Sequence, residues 1–232
     1  MKKPKRILVI DIGGTNVKIL ATGIEERIKI PSGLQMTAEK MVSSVKEAAA
    51  DWDYEAVSIA YPGPVIDGKI VAEPHNLARG WVGFNFTEAF DRPVRILNDA
   101  ATQALGSYEG GTMLFLGAGT GLGAALVKDD AVIPLEIAHL PYRKGRSYEE
   151  YWGKAGYERL GEKKWQKHVK EIIGLLRDAF VASEVVLGGG NADLIEDLPE
   201  YVRVGSNDNA FTGGFRLWAE AAGKSEACSK EC

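Results

Sequence analysis

Apolar runs of four residues stand on either side of two glycine-rich turns in this 232-residue chain. Residues 7–10 and 17–20 flank the first turn, and residues 113–116 and 124–127 flank the second. Short aliphatic runs joined by glycine turns are typical of β-hairpins. The pattern therefore predicts strand, tight turn and strand at two distant places in the chain.

Apolar side chains recur at helical spacing in two longer stretches. The first predicted helix covers residues 37–52 with Thr37 as its N-cap, and the second covers about residues 162–180. Shorter signals predict strands at residues 56–60, 94–97 and 184–187 and an Asp-Gly hairpin at 65–71. They also predict helices at residues 100–108 and 215–222, and a helix that begins at a capping box between Ser147 and Glu150. Because hairpins are mixed with strand–helix units, the chain is assigned to the α/β class.

The repeated unit of strand, glycine turn and strand indicates two similar halves that face each other across a ligand cleft. We place the boundary near residues 99–111. This gives an N-terminal α/β domain of residues 1–106 and a C-terminal α/β domain of residues 107–232. The closing helix is free to pack back on the N-terminal domain.

The composition is that of a globular protein and gives no nucleic-acid signal, because 45% of the residues are hydrophobic and the net charge is −4. No apolar run approaches the ~18 residues of a membrane span. The basic residues 1–6 precede an apolar run that stops after four residues, whereas a signal core needs roughly seven or more. We therefore expect a cytoplasmic protein without nucleic-acid or membrane partners.

The glycines of both turns, adjacent in the first and alternating with other residues in the second, favour phosphate binding, because the backbone can approach a ligand closely and successive N–H groups can form a nest for an anion. A dinucleotide fingerprint and a P-loop both need a helix after their glycines. The second turn has Leu122 in place of the fingerprint's third glycine and is followed by a predicted strand. Residues 63–70 have Ile70 where a P-loop needs Ser or Thr, and they are predicted to form a hairpin. Both alternatives are therefore disfavoured.

Six motifs follow one another along the chain: Asp11 to Asn16, Tyr61 to Val65, Asn76-Leu77, Asn98 to Ala100, Gly119 to Gly123 and Glu136 to His139. Their order resembles the ROK family of bacterial sugar kinases (repressors, open reading frames, kinases) and, within it, the short polyphosphate glucokinases. The resemblance spans about residues 7–191. It implies the two-domain sugar-kinase/actin-like (ribonuclease-H-like) fold, with the ligand cleft between the domains.

Asp99 is the predicted general base. It stands where a strand ends and a helix begins, and a helix N-terminus favours the ionised carboxylate that would accept a hydroxyl proton. From the residues alone, a plain N-cap aspartate fits the same position equally well. The resemblance to the family's catalytic Asn-Asp pair favours the catalytic role.

Asp11 ends the first strand beside the predicted nest, where its carboxylate would repel phosphate unless a cation lay between them. We therefore expect Mg²⁺ as cofactor, reached from Asp11 through water, with a turn-forming aspartate as the alternative. Lys18 could reach the transferred phosphate or be an ordinary exposed strand lysine. The other residues expected to cradle the donor phosphates are Gly13, Gly14, Thr15, Asn16, Gly119, Thr120, Gly121 and Gly189.

By resemblance, the sugar contacts fall on short polar groups at loop ends, namely Gly63, Asn76, Asn98, Asp99, Glu136 and His139. The family's motif usually has glycine before that histidine, whereas this chain has Ala138. The family's cysteine-rich zinc motif is absent after it, as it is in the short polyphosphate-using members. We therefore expect no zinc site.

Residues 143–170 form a basic segment with nine Lys or Arg against four Glu, in a chain whose total charge is −4. Such a patch could hold an extended polyanion such as polyphosphate. A solvated helix face opposite an apolar stripe accounts for the same charges.

These features predict a hexokinase-type phosphotransferase. Its substrates would be glucose, phosphorylated on the 6-hydroxyl, and polyphosphate, ATP or both as donor, with Asp99 as base and Mg²⁺ as cofactor. The alternatives are a ROK-like sugar-sensing protein without catalysis and another ATPase of the actin-like superfamily. The sequence leaves open the donor, the hexose and the formation of a homodimer.

Overall fold

The computed structural model of the protein describes residues 4–206 and 208–219. The strands of the first half of the chain are β1 (Ile7–Ile12), β2 (Asn16–Ala21), β3 (Ile28–Pro31), β4 (Ala56–Tyr61), β5 (Val65–Ile66), β6 (Lys69–Ile70) and β7 (Val94–Asn98). Five of them form one sheet in the order β3-β2-β1-β4-β7, and β5 and β6 form a separate hairpin. The two hairpins predicted in this half are therefore confirmed.

The strands of the second half are β8 (Thr112–Ala118), β9 (Leu122–Lys128), β10 (Ala131–Leu135), β11 (Pro141–Arg143), β12 (Arg146–Ser147), β13 (Glu184–Gly188) and β14 (Val202–Val204). The main sheet has the order β10-β9-β8-β13-β14, and β11 pairs with β12. The strand that follows the glycine turn, β9, is antiparallel to β8, which excludes the helix that a dinucleotide fingerprint needs.

The two main sheets have the same topology. In each, the first strand forms an antiparallel hairpin with the second across a glycine turn, and the third strand extends that hairpin. The other edge of the first strand is paired in parallel with the fourth, which is paired in parallel with the fifth. This repeat confirms the internal similarity expected from the two glycine turns.

Seven helices lie among the described residues: α1 (Ala38–Ala48), α2 (Phe86–Phe90), α3 (Asp99–Ser107), α4 (Glu149–Trp152), α5 (Lys154–Leu160), α6 (Glu162–Ala179) and α7 (Asn209–Arg216). Thr37 caps α1 as predicted, because its Oγ1 accepts a hydrogen bond from the Lys40 amide at 3.2 Å. The predicted capping box is also present. The Ser147 amide donates to the Glu150 carboxylate at 2.8 Å, and the Glu150 amide donates to Ser147 Oγ at 3.4 Å.

Each sheet has its own hydrophobic core. Met41 and Val45 of α1 are fully buried in one cluster with residues of β1 and β4. Trp165 and Val169 of α6 are buried in a second cluster with residues of β8 and β13. The apolar stripes that predicted these two helices are therefore the faces that cover the sheets.

The last helix differs from its prediction. The sequence suggested residues 215–222, whereas α7 is Asn209–Arg216, and residues 220–222 lie outside the described part of the chain. The predicted range began after Gly213 and Gly214, and glycine is a weak helix former. In the structure they permit close packing: a Cβ on Gly213 would lie 1.8 Å from the Thr102 carbonyl oxygen, and one on Gly214 would lie 2.3 Å from Val9.

Helix α7 contacts β1 and β4 of the first sheet, and it packs along α3. In the sequence, residues 99–111 lie between the last strand of the first main sheet and the first strand of the second. The domain boundary at residue 106 stays a prediction. Within residues 4–206 and 208–219, no helix combines the length and the apolar character needed to cross a bilayer.

Candidate active site

Asp99 is the first residue of α3, directly after β7. Asn98, not Asp99, is the N-cap, because the Asn98 side-chain oxygen accepts a hydrogen bond from the Ala101 amide at 3.1 Å. The Asp99 carboxylate accepts one from the Ala100 amide at 2.7 Å. The capping role that sequence allowed for Asp99 is therefore filled by its neighbour.

Burial raises the pKa of Asp99 to about 7. This value is the net result of several effects, in which the hydrogen bond from the Ala100 amide lowers the pKa and the carboxylates of Asp11 and Glu136 raise it. The helix N-terminus was expected to keep this carboxylate ionised, but desolvation outweighs that effect. The outcome is a carboxyl group that gains and loses a proton near neutral pH, as a general base requires.

Asp11 and Lys18 face each other across the β1–β2 hairpin, where they are register partners. Lys18 Nζ lies 3.0 Å from Asp11 Oδ2, and the Asp11 side chain is only 13% exposed. The sequence left Lys18 as either a phosphate contact or an ordinary exposed strand lysine. In the structure its ammonium is held at the Asp11 carboxylate, so the second description is incomplete. This ion pair places one positive charge beside the cluster formed by Asp11, Asp99 and Glu136.

Asp11 is suited to a magnesium ion that is bound mainly by other ligands. Among residues 4–206 and 208–219, no group of three or more His, Cys, Asp or Glu side chains is arranged to hold a metal. Mg²⁺ commonly keeps several waters and uses one or two carboxylates together with substrate phosphates. A magnesium ion that arrives with the donor and has Asp11 as its protein ligand stays a prediction.

The first glycine turn is held by its own hairpin and by Ser32. The Gly13 amide donates to the Asn16 carbonyl at 3.0 Å, and Ser32 Oγ donates to the Gly13 carbonyl at 2.6 Å. The amides of Gly14 and Thr15 have no acceptor within the described part of the chain. These two adjacent donors form the kind of nest that binds an anion. Ser32 follows a short strand, β3, that the sequence did not predict.

The second glycine turn is braced by the loop after β13. The Asn191 side-chain amide donates to the Gly119 carbonyl at 3.2 Å. Gly189 has a φ of +82°, and a Cβ there would lie 2.5 Å from the Ala118 carbonyl oxygen, so only glycine fits. Thr120 and Gly121, like the pair in the first turn, have amides that find no acceptor among the described residues.

The second hairpin packs against the start of α3. A Cβ on Gly123 would lie 2.8 Å from Cβ of Ala100, the residue after Asp99. The first hairpin also comes close to Asp99, since the Asp11 charge at the end of β1 raises the pKa of Asp99. The predicted base therefore lies close to both hairpins that carry the predicted phosphate turns.

The predicted sugar contacts fall into two groups: those that contact or lie near other predicted site residues, and His139. The Asn98 side-chain amide donates to the Gly63 carbonyl at 3.1 Å, and Asn76 packs against Gly14 of the first turn. Glu136 is close enough to Asp99 for its charge to raise that pKa. His139 lies exposed in the turn after Glu136, and no hydrogen bond within the described residues joins it to the others. Its sugar contact stays a prediction.

Much of the basic segment is paired with acidic neighbours. Salt bridges join Arg143 to Glu171, Arg146 to Glu150, Lys154 to Glu158 and Lys170 to Asp197. Arg159 donates to a backbone carbonyl and lies over the Tyr151 ring. Within the described residues, the lysines without an acidic partner are Lys144, Lys163, Lys164 and Lys167. The structure therefore offers a smaller cationic surface than the residue count suggested.

Comparison with known proteins gives one family match. The model of the ROK family matches residues 7–134, which is more than half of the chain. A polyphosphate glucokinase of Mycobacterium tuberculosis (strain ATCC 25618 / H37Rv) is 27% identical over 211 residues, covering 78% of this chain and 76% of the relative. An N-acetylmannosamine kinase of Escherichia fergusonii is 30% identical over 136 residues, covering 52% of this chain and 46% of the relative.

The fold has a counterpart among solved structures. An inorganic polyphosphate/ATP-glucomannokinase from Arthrobacter sp. strain KM superposes with a TM-score of 0.77, covering 94% of this chain and 99% of that chain. The two sequences are 23% identical. The likeness shows the two-domain actin-like α/β fold that the motif order implied.

Proposed function

The chain belongs to the ROK family and resembles its polyphosphate glucokinases, and on this basis we propose that it phosphorylates the 6-hydroxyl of glucose. The donor is polyphosphate, ATP or both. One observation carries the proposal: Asp99, with a pKa near 7, lies close to two glycine hairpins, and two amides in each glycine turn have no acceptor among the described residues.

Asp99 is the general base of the proposed reaction. It accepts the proton of the 6-hydroxyl as the oxygen–phosphorus bond forms, and the bond from that phosphorus to the remaining phosphate chain breaks. A base with a pKa near the working pH is ionised in a large fraction of molecules and still binds the proton well. The hydrogen bond from the Ala100 amide holds the carboxylate in place.

The glycine turns bind the donor. Amides of Gly14 and Thr15 on one side, and of Thr120 and Gly121 on the other, donate to phosphate oxygens. Lys18 adds a positive charge close to the carboxylate cluster. Magnesium bound with the donor phosphates at Asp11 would neutralise the charge that develops during phosphoryl transfer.

The relatives support the sugar kinase class more firmly than one substrate. The polyphosphate glucokinases and the glucomannokinase favour glucose or mannose, whereas the N-acetylmannosamine kinase shows that related chains accept another sugar. Polyphosphate and ATP are both named for the glucomannokinase. Glucose with either donor is therefore the first pairing to test.

A matrix of sugars and donors tests the proposal. Glucose, mannose and N-acetylmannosamine are each combined with ATP and with polyphosphate, and the sugar phosphate is measured with Mg²⁺ and with EDTA. Glucose-dependent transfer that EDTA abolishes supports the proposal. Sugar binding without transfer from either donor would instead indicate a sensor, and ATP hydrolysis that needs no sugar would indicate an actin-like ATPase.

Asp99→Asn tests the base in the same assay. We expect turnover to fall by about 10²–10⁴-fold while glucose affinity, measured by calorimetry, stays within about threefold of wild type. Asp129→Asn is the matched control, because Asp129 lies in an exposed turn with a φ of 51° that asparagine tolerates. Near-normal turnover of Asp99→Asn would remove Asp99 from the role of base.

A further inference from the structure

Glu73 makes contacts that none of the proposed roles uses. Its carboxylate accepts hydrogen bonds from three consecutive amides, those of Gly80 and Trp81 at 3.1 Å through Oε2 and that of Val82 at 3.3 Å through Oε1. Among the described residues these amides donate to no backbone carbonyl. Gly80 has a φ of +105°, which glycine adopts readily. The three amides thus form an anion nest whose occupant is a side chain of the protein itself.

The Glu73 carboxyl is ionised in this nest. Burial raises its pKa, but the hydrogen bonds from the amides of Trp81, Gly80 and Val82 outweigh that effect and hold the pKa below its ordinary value. The positive charge of Arg79 also lowers it. An ionised carboxylate only accepts hydrogen bonds, and bonds to a charged group are stronger than those between neutral groups. Glu73 therefore closes the loop of residues 73–82 by joining its two ends.

The loop that Glu73 closes contains Asn76, one of the predicted sugar contacts. Leu77 and Trp81, on the far side of Asn76 from Glu73, are buried in the core cluster of the first sheet. Asn76 itself is exposed, and its Cβ would lie 3.1 Å from a Cβ on Gly14 in the first glycine turn. The closed loop therefore presents Asn76 beside the predicted phosphate turn.

Tyr61 joins the same loop to a second predicted sugar segment. Its hydroxyl donates to the Ala72 carbonyl at 2.8 Å, and its ring centroid lies 5.7 Å from that of Trp81. A Cβ on Gly63 would lie 2.8 Å from the Tyr61 ring. Tyr61 and Trp81 are fully buried, whereas Glu73 is partly exposed. A substitution at Glu73 can therefore open the loop without emptying the core.

We propose that Glu73 is a positioning residue, whose carboxylate closes the loop of residues 73–82 and so holds Asn76 in the place where it contacts the sugar. Without the carboxylate, three adjacent amides lose their acceptor, and water competes for them. The kinetic consequence of this inference rests on the proposed kinase function. Its structural consequence, protection of the three amides, is independent of any reaction.

The kinetic test uses two Glu73 variants. For Glu73→Ala we expect the glucose KM to rise about tenfold, while kcat stays within about threefold and the donor KM within about twofold. The donor KM is spared because the first glycine turn is held by its own hairpin and by Ser32. Glu73→Gln keeps an acceptor for the amides of Gly80 and Trp81 and should restore the glucose KM to within about threefold of wild type. Glu47→Ala, at an exposed glutamate of α1, is the matched control.

A double-mutant cycle tests whether Glu73 acts through Asn76. Asn76→Ala removes the group that the loop positions and should by itself raise the glucose KM. If Glu73 acts through Asn76, adding Glu73→Ala to this variant changes the glucose KM by at most about twofold. Fully multiplicative effects of the two substitutions would overturn the proposal.

Hydrogen exchange separates this inference from the proposed function. In Glu73→Ala we expect the amides of residues 80–82 to exchange about tenfold faster than in wild type and in Glu47→Ala. Unchanged exchange would overturn the closure of the loop by Glu73. Faster exchange with an unchanged glucose KM would overturn the positioning role, and so would a Glu73→Gln variant as impaired as Glu73→Ala. A wild-type protein that transfers phosphate to no hexose would refute the kinase proposal, and hexose affinity measured by calorimetry would then replace KM as the test of Glu73.

Discussion

Lys18 Nζ lies 3.0 Å from Asp11 Oδ2, across the hairpin that presents the first glycine turn. The two residues are direct cross-strand partners in β1 and β2. Asp11 is also one of the two carboxylates whose charge raises the pKa of Asp99. The lysine is therefore positioned to moderate the charge that the proposed base experiences.

Replacing Lys18 with methionine should shift the pH dependence of catalysis. Without the ammonium, the Asp11 charge acts more strongly on Asp99, and the pKa of Asp99 rises. We expect the acidic limb of the kcat/KM profile to move to higher pH by about half a unit. Lys128→Met, at an exposed strand lysine of β9, is the control and should leave the limb in place. An unmoved limb in Lys18→Met would separate the ion pair from the base.

The raised pKa of Asp99 also predicts how kcat/KM of the wild-type protein depends on pH. Because the base must be ionised, kcat/KM should rise with pH and level off above an apparent pKa near 7. Glu136→Gln removes one of the neighbouring negative charges, so its limb should lie at lower pH than that of wild type. Glu196→Gln, at an exposed glutamate, serves as control. Initial rates between pH 5.5 and 8.5, with the coupling enzymes checked at each pH, measure all three proteins.

The Asp99 carboxyl should lower the free energy of unfolding at neutral pH. Its pKa is about 7 when folded and 3.8 as an unperturbed group, so the two states bind protons equally below about pH 4. As pH rises, the unfolded chain loses this proton first, and the folded state is disfavoured increasingly until the pH exceeds the folded pKa. Asp99→Asn removes this cost and should therefore stabilise the protein more at pH 8 than at pH 5, by roughly 2 kcal/mol.

Thermal unfolding of Asp99→Asn and wild type at the two pH values measures that difference. A stabilisation of this size corresponds to about 5 °C in Tm for a chain of this length. Asp129→Asn, in its exposed turn, should show no such dependence on pH. Equal Tm differences at pH 5 and pH 8 would contradict the raised pKa.

The contact between α3 and α7 provides a stability test with an internal control. A Cβ on Gly213 would lie 1.8 Å from the Thr102 carbonyl oxygen, a backbone atom that cannot rotate away. Gly213→Ala should therefore lower the free energy of unfolding by about 2–4 kcal/mol. Gly174→Ala in α6 meets nothing within 4 Å and should instead raise it by about 0.5–1 kcal/mol. Urea denaturation measures both, and similar effects at the two sites would argue against the close helix contact.

Local chemistry in the sequence determined the elements that frame the site. Apolar runs around glycine-rich turns produced both hairpins, and Thr37 caps α1 as its side chain predicted. The order of six short motifs along the chain was enough to identify the family and its fold. These signals depend on residues that are neighbours in the sequence, so they can be recognised without knowledge of the fold.

Tertiary structure decided what depends on distant residues. Burial, not the helix end, sets the pKa of Asp99, and two carboxylates far away in sequence add to it. Gly213 and Gly214 are weak helix formers, yet they lie inside α7. Glycine is needed at both positions because α3 and β1 leave no room for a side chain. Glu149 looked like part of a helix start, yet it reaches the second glycine turn. Sequence fixes propensity and pattern, whereas desolvation, close approach and charge proximity exist only once distant segments have packed together.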